Sequence, residues 1–159
     1  MRPRTLYVIA IGSNRRGRHG TPVHEVAAAI EQLTHVVAVS AIVASDPIGP
    51  STRRFANAVA VIDSIHPPPD LLHHLKTIEA RFGRRAGRRW GARVIDLDII
   101  LWSGGIWASP ALTIPHPAFR ARRFVLAPLV GVAPRWRDPI SNRSVRQLLH
   151  AVDRPRPRA

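Results

Sequence analysis

The chain has 159 residues, a length typical of a single domain with a substantial core. It contains no cysteine, which excludes disulfides and thiolate metal sites, and neither an apolar run of about eighteen residues nor a secretory pattern, so we expect a cytoplasmic protein without a membrane span. The formal net charge of +14 is compatible with nucleic acid, a membrane surface or a polyanionic small substrate as the partner.

Apolar periodicity predicts six regular elements in the order strand, helix, strand, strand, helix, strand. β-rich apolar runs mark the strands, and apolar residues three and four apart, preceded by proline, mark the helices. The predicted strands cover 5–11, 36–46, 55–63 and the run around Asp96 and Asp98, and the predicted helices cover 22–35 and 67–83. This is the split βαβ order of ferredoxin-like folds, so we expect an α+β sandwich with a mostly antiparallel sheet and helices on one face.

The last third of the chain predicts additions to this sandwich. The sequence pattern predicts a loop and two helical pieces over residues 113–134 and 144–152. It predicts a disordered basic tail over residues 153–159. Because the sequence has no repeat and no internal linker, we expect one domain over residues 1–152.

Asp96 and Asp98 stand two residues apart in the otherwise apolar run VIDLDIIL. Side chains alternate along a strand, so both carboxylates face the same way, with Cα atoms about 6.5 to 7 Å apart. The residues expected to face the core together are Ile95, Leu97, Ile99 and Leu101. One interpretation places the aspartates on a solvated sheet face. The other makes them ligands of Mg²⁺, which keeps most of its ligands as water and phosphate oxygens.

The segment just before the aspartates is strongly basic. It contains Arg84, Arg85, Arg88, Arg89 and Arg93 around Trp90, whereas the only lysine of the chain is Lys76. Arginine forks hold phosphates well, and an indole offers a stacking surface. The alternative is a solvated charge run or a set of ion-pair partners for the aspartates. Together, carboxylates, arginines and an aromatic ring indicate a phosphate-handling site.

Five motifs in chain order resemble the 6-hydroxymethyl-7,8-dihydropterin pyrophosphokinase family of the folate pathway. They are AIGSN at 10–14, FANAVAVID at 55–63, IEARFGRR at 78–85, RWGARVIDLDIILW at 89–102 and IPHPAFRARRFVLAPL at 114–129. The resemblance implies transfer of a diphosphate from ATP to the hydroxymethyl group of the reduced pterin, giving AMP and the pterin diphosphate. It also implies two Mg²⁺ ions as cofactors, with ATP and the pterin as partners.

The resemblance implies a catalytic and nucleotide-binding set. Asp96 and Asp98 would hold the Mg²⁺ ions, and the implied catalytic residues are Arg84, Arg93, Asp96, Asp98 and His116. The implied ATP-binding residues are Glu79, Arg84, Arg88, Trp90, Arg93, Ile99, Thr113, His116 and Arg122. Without the resemblance, the sequence pattern predicts that Glu79 is solvated on a helix flank and that Ile99 lies in the core. It likewise predicts that Thr113 lies in a turn and that His116 lies at the surface.

A flat heterocycle needs aromatic faces and an amide that both donates and accepts. The resemblance implies that Phe55 and Phe124 sandwich the pterin and that Asn57 binds its edge. The implied pterin-binding residues are Ser45, Asp46, Ile48, Phe55, Asn57, Asp96 and Phe124. The alternative for the two phenylalanines is core packing, and for Asn57 it is a polar position at a strand edge.

Three alanines depart from the family pattern. Ala86 stands where the basic loop usually has a second arginine, and Ala92 stands where it has proline. Ala111 occupies a position where some relatives have a nucleotide-contacting arginine. These differences bear on ATP affinity and on closure of the basic loop more than on the reaction.

Two other functions compete with this interpretation. A basic ferredoxin-like sheet is also the framework of RNA-recognition modules, but these need an aromatic motif within the central strands. The stretches TLYVIAI and VIDLDIIL place only Tyr7 in a strand interior, and the two aspartates would repel RNA. We therefore expect no nucleic-acid or membrane partner. The second alternative is a diverged pyrophosphokinase that acts on a different pterin or a related alcohol.

Overall fold

The computed structural model describes residues 2–45, 54–83 and 93–157. The strands in this part of the chain are β1 (Thr5–Ser13), β2 (Val36–Val39), β3 (Val43–Ser45), β4 (Phe55–Ser64), β5 (Asp96–Trp102), β6 (Trp107–Ser109) and β7 (Leu112–Ile114). The helices are α1 (Pro22–Gln32), α2 (Pro68–Arg81), α3 (Arg123–Val132) and α4 (Val145–Asp153), with a 3-10 turn at Phe119–Ala121. The predicted α+β class is confirmed.

The main sheet is antiparallel and has β1 at its centre. Its strand order is β2-β4-β1-β5, and β3 also pairs with β4. Helix α1 therefore connects β1 to β2 across the intervening β4, which is the split βαβ connection that the sequence predicts. Strand β5 forms one edge of this sheet, and that edge carries Asp96 and Asp98.

The strand predicted over 36–46 is interrupted in the structure. Between β2 and β3, the hydroxyl of Ser40 accepts a hydrogen bond from the backbone N–H of Val59 at 2.9 Å and donates to the carbonyl of Ala41 at 2.9 Å. A serine side chain that bonds to the backbone in this way competes with the regular ladder. The prediction of one continuous strand is therefore wrong.

Helices cover both faces of the sheet: α1 and α2, the helices of the predicted split βαβ unit, lie on one face as expected, and the C-terminal additions α3 and α4 lie on the other. One core cluster joins α1 and α2 to alternate residues of β1 and β4, such as Ile9 and Ala58. The other joins α3 and α4 to the opposite faces of the same strands, through Val8 and Val59. Because β1 and β4 are apolar on both sides, each face needs a cover, and α3 supplies the second through residues such as Leu126.

A β-bulge in β5 changes which side chains face each core. Ile99 pairs with Ile9 and Leu101 pairs with Val8, so Ile100 is an extra residue in the ladder. Residues 95, 97 and 99 pack in the cluster with α1 and α2, as predicted. Ile100 and Leu101 both pack in the cluster with α3 and α4, so the predicted orientation of Leu101 is wrong.

The carboxy-terminal third contains the two predicted helices and a hairpin that the sequence analysis missed. Strands β6 and β7 are three residues each, too short to give a clear alternation. Helix α4 begins at a capping box formed by Ser144 and Gln147 and ends at Asp153, which pairs with Arg123 at 2.8 Å. Within the described residues, no helix combines the length and hydropathy needed to cross a membrane.

Candidate active site

The candidate site lies where the carboxy-terminal end of β1 is flanked by the amino-terminal ends of β4 and β5. In the ladder, Gly12 of β1 pairs with Asn57 of β4 on one side and with Asp96 of β5 on the other, while Ala10 pairs with Asp98. A Cβ atom at Gly12 would lie 3.0 Å from the Asn57 side-chain oxygen, so a larger residue would crowd the amide. The register therefore brings Asn57 and both aspartates to one corner of the sheet.

A cavity of about 350 Å³ opens at this corner, and we call it the strand-end cavity. The predicted site residues in its lining are Phe55, Asn57, Asp96, Asp98, Arg122 and Phe124. Phe55 and Phe124 are 38% and 50% exposed, so neither ring packs in a core cluster. The cavity is thus bordered by two aromatic rings, one amide, two carboxylates and one guanidinium. Its lining also includes Gly12, Ser13 and Asn14 of the AIGSN motif.

An apolar groove of about 520 Å³ adjoins the strand-end cavity. It shares Phe55, Asn57 and Phe124 with that cavity and adds Ser45 of β3 and Pro128 of α3. Ser45 pairs directly with Phe55 in the ladder between β3 and β4. The predicted pterin-binding residues that the structure describes therefore form one continuous surface.

A second cavity, of about 270 Å³, lies on the other side of Asp98, and we call it the hairpin cavity. The predicted ATP-binding residues Ile99, Thr113 and His116 line it, and so does Ala111. Its lining also includes Lys76 of α2, which the sequence analysis did not select as a site residue. Its status as the only lysine of the chain was the one available signal. Asp98 lines both cavities.

His116 is held in place by two backbone contacts. Its N–H donates to the carbonyl of Ile100 at 2.9 Å, and its Nδ1 accepts from the N–H of Ala118 at 3.1 Å. Burial lowers the pKa of the imidazole, against the raising effect of Asp98 and with a further lowering effect of Arg122. A neutral ring whose Nδ1 accepts must carry its proton on Nε2. His116 can therefore donate one hydrogen bond from Nε2.

Carboxylates are crowded around Asp96. Burial raises the pKa of the Asp96 carboxyl, the charges of Glu79 and Asp98 raise it further, and Arg93 and Lys76 act in the opposite direction. Within residues 2–45, 54–83 and 93–157, no group of three or more histidine, aspartate or glutamate side chains could by itself hold a metal ion. Two crowded carboxylates fit Mg²⁺ when water and phosphate oxygens supply its other ligands.

Two arginines contribute positive charge near the aspartates, Arg93 beside Asp96 and Arg122 in the lining of the strand-end cavity. Arg93 Nη1 lies 3.3 Å from an oxygen of Glu79 and 3.9 Å from an oxygen of Asp96. Arg122 immediately precedes α3, and its guanidinium carbon lies 5.6 Å from the centre of the Phe124 ring. The described part of the chain therefore supplies one cation beside Asp96 and one beside the aromatic ring.

Glu79 lies in a different environment from the expected solvated helix flank. It is 8% exposed, and one of its oxygens accepts a hydrogen bond from the backbone N–H of Leu97 at 2.8 Å. It lines neither the strand-end cavity nor the hairpin cavity. The prediction of a solvated Glu79 from helical position alone is wrong.

Several predicted site residues lie outside the described part of the chain. Among the predicted pterin-binding residues these are Asp46 and Ile48, and among the predicted ATP-binding residues they are Arg84, Arg88 and Trp90. The two departures from the basic-loop pattern, Ala86 and Ala92, lie in the same undescribed range.

Comparisons with known proteins agree with the resemblance. A family model described as 7,8-dihydro-6-hydroxymethylpterin-pyrophosphokinase matches residues 8–134. A Pseudomonas aeruginosa protein named 2-amino-4-hydroxy-6-hydroxymethyldihydropteridine pyrophosphokinase is 40% identical, covering 90% of this chain and 89% of its own length. The Haemophilus influenzae protein of the same name is 40% identical, covering 79% of each chain.

The fold of this chain also resembles that of a solved structure. The wild-type HPPK-DHPS of Plasmodium falciparum superposes with a TM-score of 0.69 at 14% identity, covering 93% of this chain. The present chain spans 44% of that longer polypeptide. At this identity the likeness supports the fold alone.

Proposed function

Because the chain belongs to the 7,8-dihydro-6-hydroxymethylpterin-pyrophosphokinase family, we propose that it transfers diphosphate from ATP to the hydroxymethyl group of 6-hydroxymethyl-7,8-dihydropterin. Membership makes the protein an ATP-dependent diphosphotransferase of folate biosynthesis. The products of the proposed reaction are AMP and the pterin diphosphate. The cytoplasmic location expected from the sequence stays a prediction.

The observation that carries the proposal is the position of Asp98 between two cavities. The strand-end cavity offers aromatic faces and the Asn57 amide, which suit a flat heterocycle with donors and acceptors on its edge. The hairpin cavity offers His116 and Thr113, which suit a nucleotide. A pterin in the first cavity and ATP in the second would bring the hydroxymethyl group and the phosphates together at Asp98.

In the proposed step the pterin hydroxymethyl oxygen forms a bond to the β-phosphorus of ATP. The bond from the β-phosphorus to the oxygen that bridges it to the α-phosphorus breaks, AMP leaves with that electron pair, and the hydroxyl proton is released. Asp96 and Asp98 would hold two Mg²⁺ ions, whose positive charge would favour this in-line displacement. No covalent intermediate with the protein is required.

The chain's own contribution is positioning and charge. Arg93 is a cation beside Asp96, Arg122 lines the strand-end cavity with both aspartates, and His116 can donate from Nε2 to a phosphate oxygen. Phe55 and Phe124 would hold the ring from opposite sides. The proposed roles of the undescribed residues of 46–53 and 84–92 stay predictions from the family resemblance.

The exposure of the sheet argues against the RNA-binding alternative. RNA-recognition modules use an open sheet face, whereas both faces of this sheet are covered by helices. Tyr7, on the central strand β1, is fully buried and donates from its hydroxyl to the carbonyl of His66 at 2.6 Å. We therefore propose ATP and a reduced pterin as partners, not nucleic acid.

The test is AMP release with 6-hydroxymethyl-7,8-dihydropterin, ATP and Mg²⁺. Wild type and Asp63→Asn should release AMP only when the pterin is present, and Asp96→Ala and Asp98→Ala should not. Asp63 is a fair control because it pairs with Leu6 at the opposite end of the β1-β4 ladder, six residues and about 20 Å from Asn57. Folded wild type that releases no AMP at saturating Mg²⁺ would refute this substrate.

A panel of related pterins and alcohols separates the assigned substrate from the diverged-enzyme alternative. The proposed contacts of Phe55, Asn57 and Phe124 are with the pterin ring, so they do not by themselves select its substituents. A preference for another reduced pterin would appear as a higher kcat/KM for that compound. We expect the highest value for 6-hydroxymethyl-7,8-dihydropterin.

A further inference from the structure

Glu79 connects helix α2 to the strand that carries the two aspartates. One of its carboxylate oxygens accepts a hydrogen bond from the N–H of Leu97, the residue between Asp96 and Asp98, at 2.8 Å. Strand β5 is an edge strand, with β1 as its neighbour in the described sheet. An N–H on the outer side of an edge strand has no neighbouring strand to accept it. Glu79 supplies that acceptor in a buried position.

The other oxygen of Glu79 lies against two cations. Lys76 Nζ is 3.3 Å from it, and Arg93 Nη1 is also 3.3 Å from it. Arg93 Nη1 in turn lies 3.9 Å from Asp96. The two cations are partly exposed, whereas Glu79 itself is 8% exposed. The buried Glu79 carboxylate therefore makes two kinds of contact. It bonds to the backbone of Leu97, between the two aspartates, and it pairs with Arg93, the cation beside Asp96.

We propose that Glu79 is a positioning residue, which fixes the backbone between Asp96 and Asp98 and the guanidinium of Arg93 without contacting a substrate. This inference rests on the proposed function to the extent that the two aspartates hold Mg²⁺. It differs from the nucleotide-contacting role implied by the family resemblance. Both Glu79 oxygens are engaged within the protein, and Glu79 lines neither cavity.

The physical reason is that a metal site depends on the spacing of its ligands. The two carboxylates project from alternate residues of one strand, so their separation follows the backbone at Leu97. Removing a partner that orients metal ligands typically lowers metal affinity or activity by roughly 10- to 100-fold. A loss of this size is expected when the Leu97 N–H no longer has its acceptor.

Two substitutions separate the hydrogen bond from the charge. Glu79→Gln keeps an oxygen that can accept from Leu97 but removes the charge that holds Lys76 and Arg93. Glu79→Ala removes both. Glu31→Gln is the matched control, because Glu31 is an exposed carboxylate in the last turn of α1.

Three measurements on the full chain test the inference. The first is hydrogen exchange of the Leu97 amide by NMR, and the second is Mn²⁺ affinity with an ATP analogue that carries a methylene group between the α- and β-phosphorus. The third is steady-state kinetics at varied Mg²⁺. In Glu79→Ala, we expect faster exchange at Leu97, Mn²⁺ affinity lowered on the order of 10- to 100-fold and a lower kcat. At saturating Mg²⁺ the KM for ATP should rise less than in Lys76→Ala, because both Lys76 and Arg93 are still present.

The outcomes distinguish a positioning role of Glu79 from direct contact with the nucleotide. Glu79→Gln should retain Leu97 protection and lie between wild type and Glu79→Ala in Mn²⁺ affinity, while Glu31→Gln should match wild type. A raised KM for ATP with unchanged kcat and Mn²⁺ affinity would mean that Glu79 contacts the nucleotide, and the inference would be overturned. Unchanged Mn²⁺ affinity in folded Glu79→Gln and Glu79→Ala would also overturn it. Exchange and Mn²⁺ affinity do not require turnover, so they stay informative if the assigned pterin is not the substrate.

Discussion

The backbone N–H of Ala118 donates to Nδ1 of His116 at 3.1 Å, so the neutral imidazole carries its proton on Nε2. His116 also lines the hairpin cavity, which shares Asp98 with the strand-end cavity. The ring can therefore donate one hydrogen bond from Nε2, as its proposed contact with a phosphate requires. This orientation makes the two ring nitrogens experimentally distinguishable.

His116→Gln should retain more activity than His116→Asn. The glutamine amide can reach the position of Nε2 and donate there, whereas asparagine can replace only the acceptor near the backbone. Loss of one donor to developing negative charge typically lowers kcat on the order of 100-fold. We expect that loss in His116→Asn and a smaller one in His116→Gln, measured by AMP release. Equal rates in both variants would contradict a role for Nε2.

Phe55→Ala and Phe124→Ala should raise the KM for the pterin and leave the KM for ATP unchanged. Both rings border the strand-end cavity and neither lines the hairpin cavity. Stacking on one aromatic face contributes about 0.5 to 1.5 kcal/mol, which corresponds to a change of roughly 2- to 10-fold. Ile140→Ala is the control, because Ile140 is 63% exposed and lines neither cavity. A higher KM for ATP in the phenylalanine variants would argue against two separate cavities.

Lys76→Ala should weaken ATP binding. Lys76 lines the hairpin cavity, and so does Ala111, at the position where the family resemblance implies an arginine in some relatives. A charge-assisted hydrogen bond contributes on the order of 1.5 to 3 kcal/mol, so we expect the KM for ATP to rise by roughly 10-fold or more.

Ala111→Arg provides the reciprocal test in the Lys76→Ala background. An arginine there would return a cation to the same cavity, so the KM for ATP should fall part of the way back to the wild-type value. A KM for ATP that Lys76→Ala leaves unchanged would show that this lysine only pairs with Glu79.

Local pattern predicted much of this fold, because strand alternation and helical spacing are set by which side of each element is apolar. The bulge at Ile100 escaped prediction because apolar residues follow Asp98 without interruption, and either sheet face could accept them. The roles of Phe55 and Asn57 came from the family resemblance, and the ladder between β1 and β4 explains why these residues share one corner with Gly12.

Three buried carboxylates in the described residues, Glu25, Glu79 and Asp138, also escaped prediction, since a charged residue is ordinarily expected at the surface. Glu79 is buried by a contact with β5, which is distant in sequence. Asp138 is fully buried by Arg120, eighteen residues before it, and by its own turn. Such burial depends on partners that only the tertiary structure brings together.

The Asp138–Arg120 pair predicts acid sensitivity. Burial would raise the pKa of the Asp138 carboxyl, but hydrogen bonds from Arg120, Ser141 and the Ile140 N–H hold it well below its usual range. The unfolded chain has an ordinary aspartate pKa of about 3.9, so this stabilisation is present above that pH and is lost as the pH falls below it.

Asp138→Asn should therefore lower the free energy of unfolding at pH 7 on the order of 3 kcal/mol, because Arg120 loses its buried partner. The difference in free energy of unfolding between wild type and Asp138→Asn should shrink as the pH falls below about 4. Asp138 of the unfolded wild type then becomes protonated, so its charge in the folded state stabilises the fold less. Urea unfolding at several pH values measures both quantities. Asp63→Asn, which removes a partly exposed pair with Arg4, should cost less than about 1 kcal/mol. A difference between wild type and Asp138→Asn that stayed constant from pH 7 to pH 3 would contradict the role of this charge, because an uncharged hydrogen-bonding role has no reason to disappear in acid.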